Sequence, residues 1–176
     1  KRGNKYDVVF GGSLNKDRRA NYVTTKGYYS ITPTYFYNKK AFPKELNIKS
    51  PSDFNELGMT CGVRGFNYAN FGQNNNDVEM GADTYEQLVL KTLFHRCKIS
   101  LLRYEILTGW GELLGIDFLS NDDLVFAPVP NIPKESFHLM ISKKFKYADE
   151  LKEFFDSEVN KLQHTKAFQW LSLNPE

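Results

Sequence analysis

The stretch Val8-Val9-Phe10-Gly11-Gly12-Ser13-Leu14-Asn15-Lys16-Asp17-Arg18 decides how the chain is read. Three apolar residues form a short strand that stops at two glycines. Glycine lets the backbone take a positive φ or pass close to another molecule. Consecutive N–H groups in such a turn can form a concave anion site. Ser13 can donate or accept a hydrogen bond, and it can cap a following helical turn. Arg18 carries a planar fork that matches a carboxylate. These features describe one half of a site for a small carboxylate-bearing ligand. They equally describe an ordinary strand–loop–helix corner with a surface arginine, because paired glycines after strands are common turn signals.

The 176 residues suit one domain or two small lobes. A chain of this size buries roughly 70% of its unfolded surface and can fold without staples. Net charge is +2, and the basic residues are interspersed with acids, so no field gathers nucleic acid. No helix-turn-helix pattern is present either. No apolar run approaches the ~20 residues that span a membrane, so direct insertion is not expected. Cys61 and Cys97 are compatible with one disulfide in an oxidising compartment or with two buried thiols in a reducing one. His95 and Cys97 lie two apart with no second such pair, so no zinc or other metal site is expected. The apolar stripes read as core, and no cofactor is expected.

In chain order, residues 17–21 suit one or two helical turns and residues 22–25 are extended. Residues 28–37 (YYSITPTYFY) are aromatic and β-branched and read as strand, with Pro33 marking an edge or crossover position. Ser50 and Pro51 open a short helix ended by Gly58. Residues 59–63 read as strand, and a helix is expected to begin in 66–72. Residues 73–77 (QNNND) read as a solvated tip. A strand is expected at 78–80, then a helix over 84–94, capped by Asp83 or Thr84. Further strands fall at 99–102, 124–127 and 136–142, and helices at 105–114, 148–162 and 165–171. Alternation of strands and helices from about 50 to 129 argues for a mainly parallel sheet with helices on both faces. In such sheets ligands sit at the strand C-termini. The loop Arg64-Gly65-Phe66-Asn67-Tyr68 is therefore a second anion-friendly corner, with a helix N-terminus after Gly65.

The sequence resembles the bacterial extracellular solute-binding proteins of family 3, the amino-acid transport type. Lys5-Tyr6-Asp7-Val8-Val9-Phe10-Gly11-Gly12-Ser13 resembles that family's KxDxxxxGxS strand and loop, one residue shorter. Ser13 through Arg18 resembles its SxTxxR signature, with Asn15 where threonine is usual. Thr24-Thr25-Lys26-Gly27-Tyr28-Tyr29 resembles FSxPYY, and Gly62-Val63-Arg64-Gly65 resembles the GVxxG loop with one residue fewer. Asp83-Thr84-Tyr85-Glu86-Gln87 resembles the start of the next helix. The resemblance implies an α/β, two-lobed, type 2 periplasmic-binding-protein-like fold. Lobe 1 would take residues 1–30 and 141–176, and lobe 2 residues 31–140, with hinge strands near 28–36 and 136–142. The family carries one more strand–helix–strand–helix stretch before the position of Lys1, so lobe 1 is expected to be incomplete.

The resemblance also implies roles. Arg18 would clamp a ligand carboxylate, while Ser13 and the backbone at Gly11 would hold an amine or hydroxyl. Phe66, Asn67 and Tyr68 would present donors from the second lobe; Phe66 and Tyr68 read equally well as packing residues. Amino-acid binders place an acid late in lobe 2 to meet the ligand ammonium; here Arg103 stands in that place and Glu105 is the substitute. The expected function is binding of a small polar solute, an amino acid or related carboxylate, in an inter-lobe cleft for delivery to a membrane ABC permease. The alternatives are the extracellular sensor domain of a signalling receptor and, less favoured, a dehydratase-like enzyme. The expected location is the periplasm or the exterior.

Overall fold

Residues 6–42, 44–163 and 165 are described by the structure, a computed structural model. Lys5 of the first quoted motif and the helix expected over 165–171 lie outside them, apart from Thr165. In chain order the strands and α-helices are β1 (Val8–Ser13), α1 (Lys16–Asn21), β2 (Tyr22–Thr24), β3 (Tyr29–Ile31), β4 (Pro33–Asn38), α2 (Phe54–Leu57), β5 (Thr60–Val63), β6 (Glu79–Ala82), α3 (Tyr85–Leu93), β7 (Ile99–Arg103), α4 (Tyr104–Leu114), β8 (Leu124–Pro128), β9 (Glu135–Ser142) and α5 (Ala148–Gln163). The chain divides into two compact units. One is formed by the described parts of Lys1–Ser30 and Ser136–Glu176, the other by Ile31–Glu135.

In the first unit β9 is the central strand, with β1 and β2 antiparallel on either side. Phe137, His138, Met140, Ile141 and Ser142 of β9 pair with β1 or β2, and the contacts of this unit begin at Ser136. Inward residues alternate along β9: Leu139 and Ile141 are buried against Ala148, with Leu151 and Phe155 of α5 packed on them. That two-residue period is the strand repeat, and the α5 stripe is the helical one.

The second unit is built on a sheet of order β6-β5-β7-β4-β8. β5 runs parallel to β6 and β7, whereas β4 is antiparallel to β7 and β8. Four strands thus share one direction and β4 opposes them, so the sheet is mixed by pairing and mainly parallel by direction. β4 is buried along its whole length between two neighbours. Pro33 therefore does not mark an edge; it survives as the first residue of the strand, where no ladder donor is needed. Side chains alternate across the sheet. Phe36, Cys61, Leu102, Leu88 and Leu107 lie in one core cluster. Tyr35, Tyr37, Leu101, Phe54 and Phe71 lie in the other. Helices α3 and α4 contribute to the first cluster and α2 to the second, so helices cover both faces. Each fully buried Phe or Leu contributes roughly 1.5–3 kcal/mol of apolar transfer free energy.

Cys61 of β5 and Cys97, just before β7, form a buried disulfide with a Cα–Cα separation of 5.8 Å. The two thiols left open by the sequence are thus one bridge closing a 36-residue separation. The residues Cys61, Glu79 and Cys97 come close enough together to suggest ligands, but both sulfurs are spent on the disulfide. Among the described residues no helix is long and apolar enough to cross a membrane.

Candidate functional site

The corner after β1 is shaped by a register shift between Val9 and Gly12. Gly11 sits inside that bulge at φ +68°, a left-handed conformation that glycine adopts without a Cβ penalty. Its N–H donates to the Tyr28 hydroxyl at 2.9 Å. Ser13 then emerges buried, opposite Phe137 of β9. The serine does not cap the next helix. Asn15 does, its Oδ1 accepting the Arg18 N–H at 2.8 Å. Asn15 thereby stands where the resembled motif has threonine and performs the capping a threonine can.

One helical turn later the Arg18 side chain folds back. Its Nη1 donates to the Ser13 carbonyl at 2.6 Å and meets the Ser13 Oγ at 3.1 Å. Arg18 is half-buried and forms no ion pair with a described residue. Two contacts on one nitrogen orient the guanidinium, and no carboxylate among the described residues neutralises it. A planar fork held in this way matches the geometry of a carboxylate. Gly11, Ser13 and Arg18, the three first-lobe residues expected from the sequence, thus lie in one corner of one unit.

Sequence reasoning missed the aromatic residues beside this corner. Tyr28 and Tyr29 place their hydroxyls 4.0 and 3.4 Å from where a Gly11 Cβ would stand. Tyr29 stacks on Phe137, centroids 4.9 Å apart, and meets Tyr28 edge-on at 4.9 Å. The run of aromatics in 28–37 was the available signal, but a strand reading assigns such rings to packing. The loop that leads into them is pinned: Asp156 of α5 accepts the Lys26 N–H at 2.8 Å, and His138 Nδ1 lies 2.8 Å from the Thr25 carbonyl.

The second unit treats its expected residues differently. No α-helix follows Gly65; a single 3-10 turn forms at Ala69–Phe71. Two of the expected N–H donors, those of Phe66 and Tyr68, are consumed within the loop, as is that of Ala69. The Tyr68 N–H goes to Asn75 Oδ1 at 2.7 Å, the Ala69 N–H to Asn67 Oδ1 at 3.2 Å, and the Phe66 N–H to the Val63 carbonyl at 3.4 Å. The 73–77 tip is accordingly not a plain solvated loop: Asn75 holds Tyr68, and buried Gln73 donates to the Pro51 carbonyl at 2.6 Å. Tyr68 is fully buried, and its hydroxyl accepts from the Val63 N–H at 2.5 Å and lies 3.1 Å from the Val63 carbonyl. Burial pushes its phenol far above the ordinary tyrosine range. These are the marks of a packing residue.

Arg103, at the end of β7, is also buried, with its guanidinium near the Phe66 and Phe71 rings at 5.3 and 5.1 Å. Its Nε donates to Glu135 Oε2 at 2.6 Å and its Nη2 to Glu135 Oε1 at 3.1 Å. Nη2 also donates to the Asn67 carbonyl at 3.1 Å, and Asn70 donates to Glu135 Oε1 at 2.6 Å. The arginine in the acid's place is therefore neutralised inside its own unit. Glu105, the substitute acid, is spent as well, both oxygens accepting from Thr32 at 2.7 Å. Of the expected polar contacts in this unit, Asn67 retains a buried Nδ2 with no hydrogen-bond partner among the described residues. Tyr85, stacked on Phe66, has its phenol pushed up to about 12 by burial, against the opposing pull of the Arg103 charge.

Two αβ units, one with a central returning strand and one with a mixed five-stranded sheet, define the two-lobed periplasmic-binding-protein fold. Among the solved structures it is similar to are amino-acid-binding proteins. One is AbpA, an amino acid ABC transporter substrate-binding protein from Streptococcus pneumoniae bound to L-arginine: TM-score 0.65, 16% identity, 96% of this chain and 67% of that one covered. Another is an ABC uptake transporter substrate-binding protein from Streptococcus pneumoniae with bound histidine: TM-score 0.64, 15% identity, 94% and 67% covered. A third is an ancestral amino acid-binding protein, a precursor of cyclohexadienyl dehydratase: TM-score 0.66, 14% identity, 95% and 67% covered. The chain spans about two thirds of the length of these structures. No family model matches the sequence, and no curated protein matches it significantly.

Proposed function

We propose that the protein binds a small polar solute bearing a carboxylate, an amino acid or a close relative, and serves a membrane ABC transporter. The observation that carries this reading is Arg18, half-buried, oriented by Ser13 and without an acidic partner among the described residues. A charge left unneutralised beside a buried serine costs desolvation that a ligand carboxylate repays. The fold supports the reading because its neighbours are binding proteins. The buried disulfide supports an oxidising location, the periplasm or the exterior.

The test is a thermal-shift panel of amino acids, dicarboxylates and neutral sugars. A ligand held at ~100 times its dissociation constant stabilises by ~2.7 kcal/mol. The expected result is a shift with at least one carboxylate and none with the sugars. A panel in which sugars alone shift the transition, or nothing does, overturns the proposal.

A further inference from the structure

We propose that Arg103 and Glu105 are positioning residues. Through them the β7–α4 junction holds both places where the chain crosses between the two units, and this raises ligand affinity without a contact to the ligand. The effect on affinity rests on the binding reading above; the hold on the crossings does not.

The chain leaves one unit for the other between Ser30 and Ile31 and returns between Glu135 and Ser136. Just past the first crossing stands Thr32, the single residue between β3 and β4. Its N–H donates to Glu105 Oε2 and its hydroxyl to Glu105 Oε1, both at 2.7 Å. Its carbonyl accepts the Tyr104 N–H at 3.2 Å and the Thr34 hydroxyl at 3.1 Å. Every polar group of Thr32 is thus engaged. Pro33 follows, and the residue before a proline is biased to extended backbone. Just before the second crossing stands Glu135, buried although its neighbours Lys134 and Ser136 are exposed. Its carboxylate takes two hydrogen bonds from Arg103, and Asn70 donates to it at 2.6 Å. Arg103 ends β7 and Glu105 lies in the first turn of α4, so one junction carries both anchors. Each of these contacts is made inside the second unit.

A hinge needs a few residues free to change φ and ψ. Thr32 and Glu135 are held, so swivelling is confined to bonds on the first-unit side of them. Fewer arrangements of the free protein mean less ordering when a ligand is taken. The arginine in the expected acid's place, and the acid two residues on, thereby gain a role that needs no ligand contact.

The test places one dye at Ser157→Cys in the first unit and one at Asn55→Cys in the second, both exposed positions. Single-molecule energy transfer then reads the spread of distances in the ligand-free chain. Glu105→Gln, Glu105→Ala and Glu135→Gln are compared with the otherwise unmodified chain. The control is Thr92→Val, which removes buried hydrogen bonds in α3 and touches neither crossing. Calorimetry gives Kd for whichever carboxylate produces the largest thermal shift. The expected result is a broader spread in the three crossing variants, none in Thr92→Val, and a Kd weakened about tenfold in the crossing variants alone. Glu105→Gln keeps the side-chain shape, so it answers the question should Glu105→Ala fail to fold. An unchanged spread in Glu105→Gln and Glu135→Gln, or equal broadening in Thr92→Val, overturns the hold on the crossings. A broader spread with an unchanged Kd overturns the positioning role. No binding by the unmodified chain overturns the proposed function and with it the effect on affinity, while the spread alone decides the hold on the crossings.

Discussion

Buried charge at Arg103 is tolerated because Glu135 meets it with two hydrogen bonds and Asn67 and Asn70 supply two more to the pair. Removing one member strands the other. Arg103→Met is expected to cost about 3–5 kcal/mol in urea unfolding, whereas Arg103→Met with Glu135→Met is expected to recover part of that loss. A double variant as unstable as the sum of the single ones contradicts this account. Tyr85 gives a pH prediction. Its phenol titrates at about 12 in the fold and near 10 in the unfolded chain, so the folded state holds the proton longer. Stability is therefore full below pH 10 and falls as the pH rises toward 12, by about 2 kcal/mol from this group. Tyr85→Phe should flatten that limb, and an unchanged alkaline limb counts against it. At this scale Arg18 and Ser13 were legible because a glycine turn and an arginine lie close together in sequence. The engagement of Glu105 was not, because its partner Thr32 lies 73 residues away and meets it only through the fold.

The elements themselves follow sequence rules closely where one periodicity dominates. Helix α3 begins at the Thr84 cap, whose Oγ1 accepts the Gln87 N–H at 3.3 Å, and the Asp83 N–H goes to Gln87 Oε1 at 2.8 Å. Thr92, the one polar residue on its apolar face, is satisfied by Leu88 and Ser100. The loop over 66–72 departs from the helix expected there. Side-chain oxygens of Asn67 and Asn75 take its N–H groups first, the competition by which asparagine opposes helix formation. Gly62 is part of the same local solution. A Cβ there would stand 2.2 Å from the Tyr68 ring, so Gly62→Ala is expected to destabilise by about 1–3 kcal/mol. Equal unfolding midpoints for that variant and the unmodified chain would show that Tyr68 moves freely. In the first unit, Asn15→Ala removes the α1 cap and is expected to cost about 1 kcal/mol, weakening ligand binding through Arg18 while leaving the second unit unaffected.

For the whole molecule, the two-unit α/β fold was legible from strand–helix alternation and from the order of the quoted motifs. The partnership of Cys61 with Cys97 was not, since spacing alone fits a bridge or two thiols. The bridge closes a loop long enough to contribute about 4 kcal/mol in the chain-entropy account. Thiol titration of the unfolded, unreduced protein should find no free thiol at either position, and two free thiols would remove the support for an oxidising location. The proposed binding function turns on Arg18 as a cation oriented by Ser13 for a ligand carboxylate. The measurement that tests it most directly is a side-by-side calorimetric titration of the unmodified chain, Arg18→Lys and Arg18→Ala with whichever carboxylate gives the largest thermal shift. The account predicts at least tenfold weaker binding with lysine, which keeps the charge and loses the fork, and no measurable binding with alanine. Binding by Arg18→Ala as tight as that of the unmodified chain would contradict it.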